Sequence, residues 1–68
     1  MTTGTISHIV KDRGFGFVKS IGGRELFFHS SQVRGTVFES LIQGQNAKFT
    51  VSLGIKGLEA MDIKPVSR

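Results

Sequence analysis

Phe15 and Phe17 lie two apart in Arg13-Gly14-Phe15-Gly16-Phe17-Val18, and Phe27 and His29 lie two apart in Leu26-Phe27-Phe28-His29. In a strand, residues two apart share a face. If the two runs pair as a hairpin, three phenyl rings and an imidazole line up on one side of a sheet. The glycines on either side of Phe15 cannot cover it. The chemistry offered is non-covalent, since flat rings displayed beside cations form a platform on which unpaired bases stack. Burying a Phe is worth roughly 1.5–3 kcal/mol, so rings left in water call for a reason beyond folding. Covalent chemistry has weaker support. His29 stands next to Ser30 and Ser31, but adjacent strand residues face opposite sides and no orienting acid accompanies them, so an enzyme is not expected. His8 and His29, with no cysteine in the chain, are too few for a metal site. Gly14-x-Gly16 is not a dinucleotide fingerprint, because Lys19 takes the third glycine's place and no helix follows. No cofactor and no small-molecule substrate are expected.

The elements that must position these rings read as all-β. No segment carries a helical period. A first strand covers about Thr3 to Lys11, with Ile6, Ile9 and Val10 as apolar contacts, and Asp12-Arg13-Gly14 forms a turn. A second runs from about Phe15 to Ile21. Gly22-Gly23 signals a two-residue hairpin turn, and Arg24 to His29 returns antiparallel. Ser30 to Gln45 reads as a long loop with one short helical turn near Ser30 to Val33. Ala47, Phe49, Val51 and Leu53 alternate with polar residues, as a half-buried strand does. Gly54 to Gly57 turns, and Leu58 to Val66 completes the sheet, with Pro65 near its end where a missing donor does little harm. Five short strands predict a small closed five-stranded antiparallel barrel, since closure removes exposed edges. The expected inward set is Ile6, Val18, Leu26, Phe28, Phe49, Val51 and Ile63. A one-residue slip would turn Phe15, Phe17 and Phe27 inward, but Val18, Leu26 and Phe28 already supply an inward face.

Sixty-eight residues make one domain, 1–68. No apolar run reaches the ~20 residues that span a bilayer, and no charged-then-apolar leader opens the chain. Without cysteine, the chain fits a reducing cytoplasm. Nine Lys/Arg against five Asp/Glu leave a net charge of +4, which favours polyanionic partners or serves as a solubilising surface. A closed barrel predicts a monomer.

These motifs together resemble the bacterial cold-shock domain family, whose members fold as five-stranded OB-fold barrels. Arg13 to Val18 is similar to the family's first ribonucleoprotein motif and Leu26 to His29 to its second. Gly4, Phe38, Leu41-x-x-Gly44-Gln45, Phe49, Lys56-Gly57 and Ala60 extend the likeness over nearly the whole chain. The resemblance implies binding of single-stranded RNA and DNA and a role as RNA chaperone or as regulator of transcription or translation. By position it implies that Phe15, Phe17, Phe27, His29 and Phe38 stack bases, and that Arg13 and Lys56 meet phosphates or base edges. Phe38 alternatively anchors the long loop to the barrel. Glu25 replaces an Asp that often contacts bases, and alternatively pairs with Arg24 or Arg13. The chain departs from the family where Ser7-His8-Ile9-Val10 stands for Lys-Trp-Phe-Asn, and where Ser30 replaces an aromatic. His8 offers a smaller ring than indole. Lys11, Arg13, Lys19, Arg24, Arg34 and Lys56 offset the loss through phosphate neutralisation, which predicts salt-sensitive, weakly base-selective binding. Two other roles stay open: a ribosome- or polymerase-associated OB module, and a protein-interaction barrel with weakened nucleic-acid binding.

Overall fold

Period-two alternation becomes burial wherever a strand has neighbours on both sides. The computed structural model describes residues 2–55 and 57–66. Five strands, Thr2–Val10 (β1), Phe15–Ser20 (β2), Glu25–His29 (β3), Asn46–Gly54 (β4) and Gly57–Pro65 (β5), close into a barrel in the order β1-β2-β3-β5-β4. Every pairing is antiparallel except β3 with β5, which meet in parallel at Phe27 opposite Glu59. An odd ring cannot alternate direction all the way round, so a five-stranded barrel holds at least one parallel seam.

That parallel seam requires a crossover, which residues 30–45 provide. The expected turn at its start is the 3-10 segment Ser30–Gln32. A second one, Phe38–Ser40, was not anticipated. Val33 bridges Ile63 in parallel, and the Arg34 amide donates to the Ile63 carbonyl at 2.7 Å, so the crossover extends the short seam.

The core comprises Ile6, Val18, Leu26, Phe28, Phe38, Leu41, Ala47, Phe49, Ala60 and Ile63. Six of the seven expected inward residues are among them. Val51 is not, and is 40% exposed. The cause is the length of its neighbour. β1 is described from Thr2, opposite Phe49, so from Val51 onward β4 has only β5 beside it among the described residues. Just before that point β5 bulges, with Lys48 opposite Lys64 but Thr50 opposite Met61, and Asp62 takes a φ of 52°.

Two glycines matter to the site. Gly16 is buried, and a Cβ there would lie 2.5 Å from the His8 carbonyl oxygen and 2.9 Å from the Phe28 ring. Its bareness lets β1 and a core ring close in behind the platform. In the β2–β3 turn only Gly23 has positive φ, at 91°. The loop holds three residues, not two: the Ser20 amide donates to Arg24 O at 2.8 Å and Gly23 N–H to Ser20 O at 2.9 Å. One left-handed residue after an ordinary turn is the usual solution for that length.

Candidate nucleic-acid interface

The hairpin register places the rings. Phe15 faces His29, Phe17 faces Phe27, and Lys19 faces Glu25. These residues point outward, while Gly16, Val18, Leu26 and Phe28 between them are buried. β1 joins the same face with His8 opposite Phe17 and Val10 opposite Phe15. The β1–β2 register shifts between Ile6 and His8, leaving Ser7 as an extra residue.

The outward rings form one cluster. Phe15 and Phe27 lie 5.6 Å apart and 35° from parallel. Phe17 stands edge-on to both, 6.1 Å from Phe15 and 6.0 Å from Phe27. His8 extends the cluster with its ring 6.5 Å from Phe17. Edge-to-face contacts at these separations are the favourable arrangement for aromatic quadrupoles, so the rings hold one another in place. All three phenylalanines are half-buried and both histidines are exposed. A half-buried ring keeps its base packed against the barrel and offers the remainder to a ligand.

His29 is oriented from beyond the strand. Its Nδ1 accepts the Ser31 amide proton at 3.1 Å and lies 3.0 Å from Ser31 Oγ. A nitrogen that accepts an N–H carries no proton itself, so Nε2 is the donor of the neutral ring. Ser31 thus fixes the tautomer and orientation of a platform residue. The sequence carried a hint of this, because a side chain at the start of a helical turn commonly caps a backbone N–H two or three residues on.

Glu25 pairs with neither arginine. Its Oε2 accepts from Ser7 Oγ at 2.7 Å, across the intervening β2. The Ser7 hydroxyl also approaches the Phe17 carbonyl oxygen at 3.3 Å. The serine that stands for the family's lysine therefore holds a carboxylate beside the platform. Glu59, which no sequence pattern marked, lies opposite Phe27 on β5, with its carboxylate turned over Gly54 of β4.

Lys11 and Arg13 are exposed in the turn between β1 and β2, and Lys19 and Arg24 are exposed at the far end of the hairpin. None of the four has an ion-pair partner among the described residues. Arg34 differs from the expectation of a free phosphate contact. Its Nε lies 3.3 Å from Asp62 Oδ1 and its Nη1 donates to the Ser31 carbonyl oxygen at 2.8 Å, so it ties the crossover to β5. Phe38 also requires correction as a stacking residue. It is 6% exposed and packs edge-on against Phe28, with centroids 6.1 Å apart. Its ring enters the core from the crossover together with Leu41, with Val33 packed against the same cluster. Lys56 lies outside the described residues.

No helix among the described residues is long and apolar enough to cross a membrane. Comparison with known proteins gives one consistent result. The 'Cold-shock' DNA-binding domain profile matches residues 2–66. The chain is 40% identical over 63 residues to the major cold shock protein CspA of Pseudomonas aeruginosa, covering 93% of this chain and 91% of that one. It is 37% identical over 67 residues to the cold shock-like protein CspA of Stigmatella aurantiaca, covering 97% and 98%. A solved structure of Drosophila Unr, titled CSD456, superposes with a TM-score of 0.76 at 28% identity, covering 97% of this chain and 26% of the longer one. With its barrel, its outward ring cluster and these matches in agreement, the chain belongs to the cold-shock DNA-binding domain family.

Proposed function

We propose that this protein binds single-stranded RNA and DNA with low sequence specificity, and acts as an RNA chaperone or a regulator of transcription or translation. The observation that carries the reading is the cluster of Phe15, Phe17 and Phe27, three rings about 6 Å apart on the outer face of one hairpin. Bases of an unpaired strand stack on Phe15, Phe17, Phe27 and His29, with His8 as a smaller fifth platform. Lys11, Arg13, Lys19 and Arg24 border the rings and neutralise phosphates, and Lys56 belongs to the same set by family position. Glu25, held by Ser7, offers a carboxylate oxygen to base amino groups.

The mechanism is thermodynamic. A duplex hides its base faces, so the platform binds only unpaired states and shifts local structure towards them by mass action, without ATP and without a covalent step. The reading places the protein in the cytoplasm with its nucleic acids.

The chain has neither Trp nor Tyr, so the ligand must carry the probe. Anisotropy of a labelled pyrimidine heptamer tests the reading with wild type, Phe15→Ala and Phe27→Ala. Each lost ring is expected to weaken binding between about fivefold and a hundredfold. Equal affinities for the three folded proteins would overturn it.

A further inference from the structure

Two lysines stand directly opposite each other on strands that carry none of the stacking rings. Lys48 of β4 pairs in register with Lys64 of β5. Both are exposed, and neither has an ion-pair partner among the described residues. Like charges opposed across a ladder repel and lower stability. Elsewhere the chain opposes unlike charges, as at Lys19 and Glu25. On its other side Lys48 lies opposite Thr3 of β1. Two residues along β1, Thr5 lies between Asn46 of β4 and Lys19 of β2. Directly opposed residues, and residues two apart on a strand, share a face. Lys64, Lys48, Thr3, Thr5 and Lys19 therefore lie on one outer surface. That surface is hollowed by a groove of about 320 Å³, lined by Thr3, Thr5 and Asn46 with Ile21 and Val66 in its walls. The Val66 amide donates to the Asn46 carbonyl oxygen at 2.9 Å, which ties that wall to β4. No acidic residue among those described lines the groove.

We propose that this groove is a second contact for the strand held by the rings, which leaves them past Lys19, crosses β1 and reaches Lys48 and Lys64. The inference rests on the single-strand binding proposed above and extends its footprint. Charge selects the occupant. A phosphate between two opposed ammonium groups removes their repulsion, so a backbone anion relieves what the free protein endures. The Thr3 and Thr5 hydroxyls and the Asn46 amide offer donors and acceptors to a sugar or a base edge. Ile21, 82% exposed, offers them an apolar wall. The volume lies at the low end of the roughly 300–1,000 Å³ of small-molecule clefts, which suits one nucleoside. Continuity points the same way. Lys19 is two residues from Phe17 along β2 and directly opposite Thr5 on β1, so it joins the two surfaces. A path from β2 over β1 to β4 follows the curve of the barrel. Duplex DNA is stiff over about 150 base pairs, so only an unpaired strand can follow that curve.

The test sets the labelled pyrimidine heptamer beside a labelled pyrimidine strand of about 15 nucleotides, near the upper end of the site size of one such barrel. Each is titrated at several salt concentrations into wild type and into the double variant Lys48→Gln/Lys64→Gln. Each phosphate neutralised adds about −0.7 to the slope of log K against log salt. With the longer strand, the double variant should therefore bind more weakly, with a slope shallower by about 1.4. With the heptamer, which the rings occupy fully, affinity and slope should match wild type. The variant removes an opposed like-charge pair, so its midpoint of urea unfolding should equal or exceed that of wild type. An unchanged slope with the longer strand would overturn the proposal. So would an equal loss with the heptamer, which would trace the effect to net charge. Two heptamers bound per chain would overturn it as well, because the groove would then take a strand of its own. A heptamer that fails to bind wild type would remove the underlying reading together with this one. Heptamer binding, with a longer strand indifferent to the lysines, would remove this one alone.

Discussion

Phe38 separates two roles that a phenylalanine near a nucleic-acid face can play. Its ring is buried against Phe28, so its contribution is to the core. Removing a buried Phe side chain typically costs about 3–5 kcal/mol, a large share of the roughly 5–15 kcal/mol that holds a domain together. Phe38→Leu is the more informative change. It should lower the midpoint of urea unfolding while the folded protein binds the heptamer as wild type does. A loss of affinity with unchanged stability would return Phe38 to the binding face. The sequence told these roles apart for Phe15, Phe17 and Phe27, because a strand has a period and a period assigns faces. Phe38 sits in a crossover without one, where the direction of a side chain depends on contacts over long sequence distances. His29 lies between these cases: its face followed from the period, but its hydrogen bond to Ser31 depends on the turn that begins after the strand.

At the scale of elements, the β2–β3 hairpin carries the platform and its turn sets the register. Gly22 and Gly23 look equivalent in the sequence, but only Gly23 adopts a positive φ. A left-handed conformation costs a residue with a Cβ about 1–2 kcal/mol. Gly23→Ala should therefore destabilise the fold by about that amount, and Gly22→Ala by clearly less, as read by chemical unfolding of the two variants. Equal effects would mean that the turn is the two-residue form its glycine pair suggests. The hairpin itself was legible because aromatic and aliphatic residues alternate on both sides of a glycine pair. The exposure of Val51 was not, although it sits in an equally regular alternation. A pattern reveals which residues share a face, but whether that face is covered depends on the end of another strand, here at Thr2.

For the whole molecule, the proposed function divides the work of binding between charge and aromatic area. The customary Trp is absent, and His8 stands at its position with a ring on the edge of the cluster. Four cations on the platform's side have no ion-pair partner among the described residues. Each phosphate neutralised adds about −0.7 to the slope of log K against log salt for single strands. Replacing Lys11 and Arg13 together by Gln should make that slope shallower by about 1.4, with little change in preference among bases. A wild-type titration that is flat in salt would leave stacking as the sole source of affinity. The barrel that supports this surface is small, with ten buried core residues among those described, so bound nucleic acid should also raise its apparent stability by linkage.

The three-residue turn keeps Phe15 opposite His29 and Phe17 opposite Phe27. As a result, the odd-numbered residues from Phe15 to Lys19 and from Glu25 to His29 face outward and the even-numbered ones between them face the core. The hairpin therefore has a reading frame of two. A single-codon insertion within either strand would act as a frameshift at the level of the fold, sending core residues to the ligand and rings into the barrel. A two-codon insertion would restore the frame, and a turn of another length would preserve it only if Ser20 still met Arg24. Gene lineages of this chain should accordingly alter either strand only in steps of two.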